Sequence, residues 1–514
     1  MTLDPNLLLL LALLVPWLIL LLGLSVHGRS LAAWLTCAAA WPALGVLLFA
    51  APEQPLHLAL GPLVFTSTQE ADWLTLIGVL LWSLLLPYSC AWSLRQAPER
   101  AWVLQGWLLA TLGASLITLF AADLLAFYLG FALTSFFAWG LILYGKGAAA
   151  RYAAWVYVSL MLVAELCLLI GLAALANQGD LSFGAVADGR LGGVPLALFG
   201  LGCAIKMGLL GVHGWLPLAH GSAVLPGSAL LSGLLVKFGL LAWWHVAATS
   251  TTLTDLGWPL ALLGLAGAVY GAVLGLLQAA PKRVLAYSTV SQMGLLTLAL
   301  GAALASADPT YQPLVEGFAI HHALTKTLAF LALGIIVSAH PNLQRLGWLG
   351  LAWVLLSLSG APFTSGASAK AGLLELVQAA GFPDWLSGVL SLTSLLSAAI
   401  LTHLLLRVRA EPGTEALVGL GQWLPWSLLF GLCLLLPLAL PGGWYPGEFW
   451  PLAMGIGLAW LWRGRWHLPA TAGAPRLPAL GVRLERRLQR WQVLGRSMLV
   501  LALVLLLSLL VSQY

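Results

Sequence analysis

Apolar runs of about twenty residues, the length that crosses a bilayer, follow one another along nearly the whole chain. They are parted by short stretches where glycine, proline and charged residues collect. The pattern predicts membrane-spanning helices at 7–26, 31–50, 73–93, 102–121, 123–144, 152–176, 196–218, 224–247, 257–279, 285–304, 314–338, 346–378, 386–406, 421–440, 446–462 and 497–513, sixteen in all. Two of them are broken. The stretch 202–237, GCAIKMGLLGVHGWLPLAHGSAVLPGSALLSGLLVK, places Lys206, His213, His220 and Lys237 around a His-Gly-Trp-Leu-Pro interruption. The stretch 357–370, SLSGAPFTSGASAK, interrupts another long run with Gly360, Pro362, Gly366, four serines and a threonine before Lys370. Irregular backbone at membrane depth is tolerated only where it faces protein or water.

Charge tests the count. Loops after odd-numbered spans hold Arg29, Arg95, Arg100, Lys146, Arg151, Lys282, Arg283, Arg345, Arg407, Arg409 and a basic run from Arg463 to Arg496. Loops after even-numbered spans hold one cation, Arg190, beside Glu53, Asp180, Asp255, Asp308, Asp384 and Glu448. A miscounted helix would scramble this alternation. The positive-inside rule therefore predicts both termini outside, on the periplasmic side of a cell inner membrane if the source is bacterial. The opening MTLDPNLLLL lacks a basic n-region, so 7–26 is read as a retained span.

Composition agrees: 61% of the 514 residues are hydrophobic, 8% are charged, and mean hydropathy is +0.96. This excludes a soluble globular domain, in which about 25% of residues are charged. The net charge of +5 comes mostly from the loops above and carries no nucleic-acid signal. Five scattered cysteines without a CxxC, and the lack of nucleotide- or haem-binding motifs, predict no disulfide, metal or cofactor site. Residues 482–494 put Leu484, Leu488, Trp491 and Leu494 on one helical face and four arginines elsewhere, the pattern of a surface amphipathic helix or a plain basic connector.

The lysines carry the candidate chemistry. Of six, Lys206, Lys237, Lys326 and Lys370 fall inside apolar spans, where no arginine does. A buried lysine can release its proton, whereas arginine cannot. Snorkelling from a helix end accounts for Lys237 or Lys370 singly, but not for all four. Glu165, alone in mid-span, is either protonated or paired, and Lys206 is its natural partner. In HHALTK, His322 and Lys326 share a helical face. With His213, His220 and Lys237 they make a possible relay, although a membrane histidine is often only a hydrogen-bonder. Lys370 and Glu375 are a candidate exit, unless Glu375 simply marks the membrane surface. Asp123 and Glu316 sit at span starts and read as structural.

KMGLLGVHGWLPLAH, PKRVLAYSTVSQMGLLTLALG, HHALTKTLAFLALG and LSGAPFTSGASAK, in that order, resemble the signature segments of the antiporter-like subunits of respiratory complex I, Mrp cation/proton antiporters and membrane-bound hydrogenases. The resemblance covers about 123–370. It implies fourteen core helices, two inverted five-helix repeats, Lys206 as gating lysine, Lys237, His322 and Lys326 as connecting relay, and Lys370 as terminal lysine. The family's span-5 glutamate, expected near Ala132, is missing, and Glu165 is the candidate substitute. An acid in span 6 and Leu-Thr-Ser in span 5 are also similar to the membrane subunit of two-component inorganic-carbon uptake complexes.

The expected architecture is an all-α polytopic membrane protein. Its parts are N-terminal helices at 1–121, antiporter-like halves at 122–248 and 249–410, and C-terminal helices with the basic segment at 411–514. The expected function is proton, or sodium, translocation through Glu165, Lys206, His213, His220, Lys237, His322, Lys326, Lys370 and Glu375, within a complex whose membrane or peripheral partner subunits carry any redox, antiport or carbon chemistry. The alternatives are a quinone-binding redox subunit and a stand-alone transporter of an organic solute. The latter would want an arginine in the membrane.

Overall fold

The computed structural model describes residues 5–49, 56–67, 73–247, 250, 252–337, 340–410, 418–440 and 449–463. The basic segment 482–494 and the span expected at 497–513 lie outside the described residues. Helices α1 (Pro5–Leu22), α2 (Arg29–Thr36) and α3 (Trp41–Phe49) lead to strands β1 (Leu56–Leu60) and β2 (Leu63–Ser67). There follow α4 (Trp73–Gln96), α5 (Ala101–Leu119), α6 (Leu124–Leu143), α7 (Gly147–Ala176), α8 (Phe183–Ala187), α9 (Gly193–Met207), α10 (Trp215–Ser222), α11 (Leu225–Leu230) and α12 (Lys237–Ala247). The second half holds α13 (Gly257–Leu276), α14 (Pro281–Ser306), α15 (Gln312–Ile336), α16 (Pro341–Ser359), α17 (Ser365–Ala379), α18 (Trp385–Ala410), α19 (Leu420–Leu435) and α20 (Trp450–Arg463). Eleven helical segments among the described residues are long and apolar enough to cross a membrane. The chain is a multi-pass helical membrane protein.

The span expected at 31–50 is long and apolar enough to cross as Arg29–Leu48, with turns at residues 37–40 between α2 and α3. The residues Leu56–Ser67, between two expected spans, form an antiparallel hairpin closed at Gly61, whose φ of +63° suits glycine. Their alternation was legible, but it is short and lies between much longer apolar runs. The hairpin docks on the α5–α6 junction: the Thr66 N–H donates to Phe120 O at 2.8 Å, and the Ala122 N–H to Val64 O at 2.9 Å.

Asp123 locks that junction. Its carboxylate accepts the Leu125 and Ala126 N–H groups at 2.8 Å, capping α6, and the Val64 N–H at 2.6 Å. Asp123→Ala strands all three donors and is expected to lower stability by about 1–3 kcal/mol. Thermal unfolding in detergent measures this, and an unchanged midpoint would refute the capping role. Glu316, buried at the start of α15, likewise accepts the Leu74 N–H at 3.0 Å and so caps α4.

Both long breaks are built alike. The half-helix α9 ends at Gly208 (φ +68°) and α16 at Gly360 (φ +78°), each in the left-handed conformation that closes a helix C-terminus. After each break the chain resumes as α10 or α17. A further irregularity, the π-helical turn Leu231–Leu235, joins α11 to α12. Such turns release backbone carbonyls from the regular ladder.

The ends of the helices sort by charge. Arg100 donates to Tyr144 O at 3.1 Å, and Lys282 to Ala223 O at 2.7 Å. These contacts bring the start of α5, the ends of α6 and α10 and the start of α14 to one basic face. Asp123, Asp180 and Asp308 lie at the opposite helix ends. There, Asp180 takes the Ser182 N–H at 2.9 Å and Arg190 at 3.0 Å, which holds its carboxyl below the usual range.

Candidate ion-translocation axis

Lys206, on the last turn of α9, is buried. Its Nζ donates to Phe131 O at 3.1 Å, Thr134 Oγ1 at 3.1 Å and Ser135 Oγ at 2.6 Å, and lies 4.3 Å from the centre of the Phe131 ring. Every one of these groups belongs to α6. Among the described residues no carboxylate comes within 4.0 Å of it, so the expected Glu165–Lys206 contact is open in this structure. Glu165, half-buried on α7, is nevertheless the charged group that Lys206 senses, and Ser135 lies beside its carboxylate. On α6 the residues at Lys206 are Phe131, Thr134 and Ser135, and Ala132 lies about 100° round the helix from Phe131.

Lys237 donates to Ser232 O at 2.6 Å, a carbonyl in the π-helical turn, and Ser232 Oγ lies 2.8 Å from Thr289 Oγ1. That turn presses onto α15 at Gly233, where a Cβ would stand 2.0 Å from Thr327 Oγ1. The close approach sets Lys237 beside Lys326. Lys326 reaches α14, donating to Leu285 O at 3.3 Å and to the Ser288 hydroxyl. His322 is an electrostatic neighbour of Lys237, Lys326 and His321, and His321 of Lys370. Lys370, one turn into α17, donates to Ser359 O at 2.9 Å and Ser394 Oγ at 2.8 Å. Ordered by electrostatic neighbour, these titratable groups make a file Lys237, Lys326, His322, His321, Lys370.

The other expected members fall differently. His220 stacks on Phe330 at 4.7 Å and has Lys282 and Lys326 as its electrostatic neighbours, placing it between the basic face and the file. His213 packs against the rings of Tyr270 at 5.0 Å and Tyr287 at 6.3 Å, with no lysine beside it. Glu375 is exposed and does not meet Lys370. It lines a cleft of about 780 Å³, which shares Ala371 and Leu374 with the cavity of about 110 Å³ at Lys370.

Several participants were not foreseen. His321 bonds Ser365 Oγ through Nδ1 at 2.8 Å, and Ser365 Oγ lies 3.1 Å from Ser357 Oγ, which ties α15 to both sides of the second break. Thr134, Ser135, Ser288 and Ser394 are the hydroxyls that hold ammonium groups. His403, buried on α18, bonds Gln278 O at 2.8 Å.

Residues 121–397 match the family model described as the membrane region of NADH:quinone oxidoreductase and the Mrp antiporter. The chain belongs to this family. It is 31% identical over 405 residues to NAD(P)H-quinone oxidoreductase chain 4 of Synechococcus elongatus, covering 73% of this chain and 74% of that one. It is 40% identical over 202 residues to an uncharacterised protein of Mycobacterium tuberculosis, of whose length this chain spans only 31%. The fold is that of a chain in the Mrp complex from Dietzia sp., with a TM-score of 0.74, 20% identity, and coverage of 99% of this chain and 62% of that one. An antiporter-like membrane protein is therefore the right description of the chain.

Proposed function

We propose that the chain conducts protons, with sodium as the competing ion, along the file from Glu165 and Lys206 through Lys237, Lys326, His322 and His321 to Lys370, as a subunit of a larger complex. The observation that supports it most is the setting of the four lysines: Lys206, Lys237 and Lys326 are buried and Lys370 is partly buried beside a cavity, each is held by hydroxyls or carbonyls, and none has a carboxylate within 4.0 Å among the described residues. A lysine at the centre of a span costs about 2.5–3.5 kcal/mol. Four of them in one helical bundle, three along a single file, are a large burden for a fold to carry without a use. Neutral hydroxyls and carbonyls accommodate an ammonium without fixing it, so its proton stays available.

Both ring nitrogens of His220 and of His322 are buried with no protein hydrogen bond. Buried polar groups of this kind are stable where water reaches them. Water also supplies the step from Lys206 to Lys237, which are not direct neighbours. Lys370 and the Glu375 cleft form the outlet in this reading. The sixteen-span count, the paired inverted repeats marked by Gly208 and Gly360, and an orientation with the basic face in the cytoplasm and both termini outside complete it. The driving or driven chemistry belongs to a membrane or peripheral partner subunit.

The test is coupled ion transport in vesicles holding the whole complex. Lys206→Ala and Lys326→Leu are each expected to abolish transport while the complex still assembles. Lys326→Leu is expected to equal or exceed the parent in thermal stability, since an apolar replacement removes a buried charge. Transport at parental rates in either variant would remove that lysine from the path.

A further inference from the structure

A cavity of about 990 Å³ opens on the basic face where α14, α15, α16 and α18 end or begin. That is at the large end of the roughly 300–1,000 Å³ range of small-molecule sites. Lys282 and Arg283, in the first turn of α14, and Arg409, in the last turn of α18, line it, and among the described residues no acidic one does. The helix N-terminus of α14 adds its partial positive charge. Apart from Gln344 on α16, the remaining side chains of the wall are apolar, chiefly Leu333 and Ile336 on the last turn of α15 and Trp348 on α16. Lys282 is already anchored to Ala223 O at 2.7 Å, so its charge is fixed in place.

We propose that this cavity is a binding site for an anionic phospholipid, the phosphate held by Arg283, Arg409 and Lys282 and the glycerol and upper acyl chain lying on Leu333, Ile336 and Trp348. The charge pattern selects an anion, and arginine suits phosphate because its guanidinium donates two parallel hydrogen bonds. The apolar wall selects an amphiphile over a free anion. An acidic loop of another protein would satisfy the cations but leave the aliphatic wall uncovered. The depth also fits, because the site lies where spans end, at headgroup level, on the face that basic loops mark as the one meeting anionic lipid. A lipid here would touch four helices at once, each of which carries or contacts a lysine of the file, and so would brace them.

The test is native mass spectrometry of the full-length chain, alone or in its complex, from nanodiscs containing phosphatidylglycerol and phosphatidylcholine. The parent is expected to retain at least one phosphatidylglycerol in preference to phosphatidylcholine. Arg283→Gln with Arg409→Gln is expected to weaken retention about thirty-fold, at roughly a factor of five per cation. Lys146→Gln, on the same face but outside the cavity, is expected to change nothing. Leu333→Trp keeps every charge and fills the apolar half, and is expected to reduce retention as well, which covers the case in which the double variant misfolds. Three results would each overturn the proposal: retention unaffected by both the double variant and Leu333→Trp, no preference for the anionic lipid, or displacement of the lipid by millimolar inorganic phosphate.

Discussion

Glu165→Gln is expected to leave the complex assembled and to slow coupled transport roughly five- to thirty-fold. The reasoning starts at Lys206. Its ammonium is enclosed by α6 oxygens that are dipoles, not charges. Glu165 is the acidic group it senses, across Ser135 and short of contact. At an effective dielectric near 20, unit charges interact by roughly 4 kcal/mol at 4 Å and by about 1–2 kcal/mol once some 8–16 Å apart. A tight buried pair would lose about 3–5 kcal/mol on removal of one partner, so the open geometry argues for the smaller effect. The same geometry supplies a rescue. Placed on the Glu165→Gln background, Phe131→Glu returns an acid to the α6 position that faces Lys206 and is expected to restore most of the rate. Ala132→Glu points elsewhere on the helix and is expected to restore little. Proton uptake by vesicles, followed with a pH-sensitive dye, reads all three variants. Parental transport in Glu165→Gln would show that Lys206 works without a carboxylate.

The residues legible in the sequence were those whose presence in a membrane is costly. Lys206, Lys237, Lys326 and Lys370 stand out because nothing apolar explains them, and the structure puts three of them in one file. Their partners were not legible. Thr134, Ser135, Ser288 and Ser394 are ordinary residues of membrane helices, and their role depends on which neighbouring helix presents an ammonium. Face reasoning on α15 reached His322 and Lys326 but not His321. The His322–Lys326 spacing pointed to one functional face, and α15 is buried almost all round. Both histidines are therefore enclosed, and His321, about 100° round the helix from His322, is the one that reaches Ser365 and the second break. Helical periodicity selects a face only when another face meets lipid or water.

The breaks were legible as interruptions, and their geometry explains what glycine does there. Gly360→Ala is expected to cut transport at least tenfold while lowering stability by only about 1–2 kcal/mol, the cost of a left-handed residue with a Cβ. Gly360 sits at φ +78°, and a Cβ there would stand 2.7 Å from Lys370 Cδ and 3.3 Å from its Cε and Nζ. The lysine can swing aside, which keeps the folding cost moderate. Swinging, however, takes Nζ from Ser359 O, the carbonyl next to the substituted residue, and from Ser394 on α18. The end of the file is then misplaced while the helices remain packed. Gly381→Ala isolates the backbone component, because Gly381 has a similar φ of +68° with nothing within 4 Å of its Cβ position. It carries the same strain and touches no lysine, so its transport is expected to stay near the parental rate. Equal losses in the two variants would mean that backbone strain alone accounts for the effect, and that the close packing of Gly360 against Lys370 has no part in conduction.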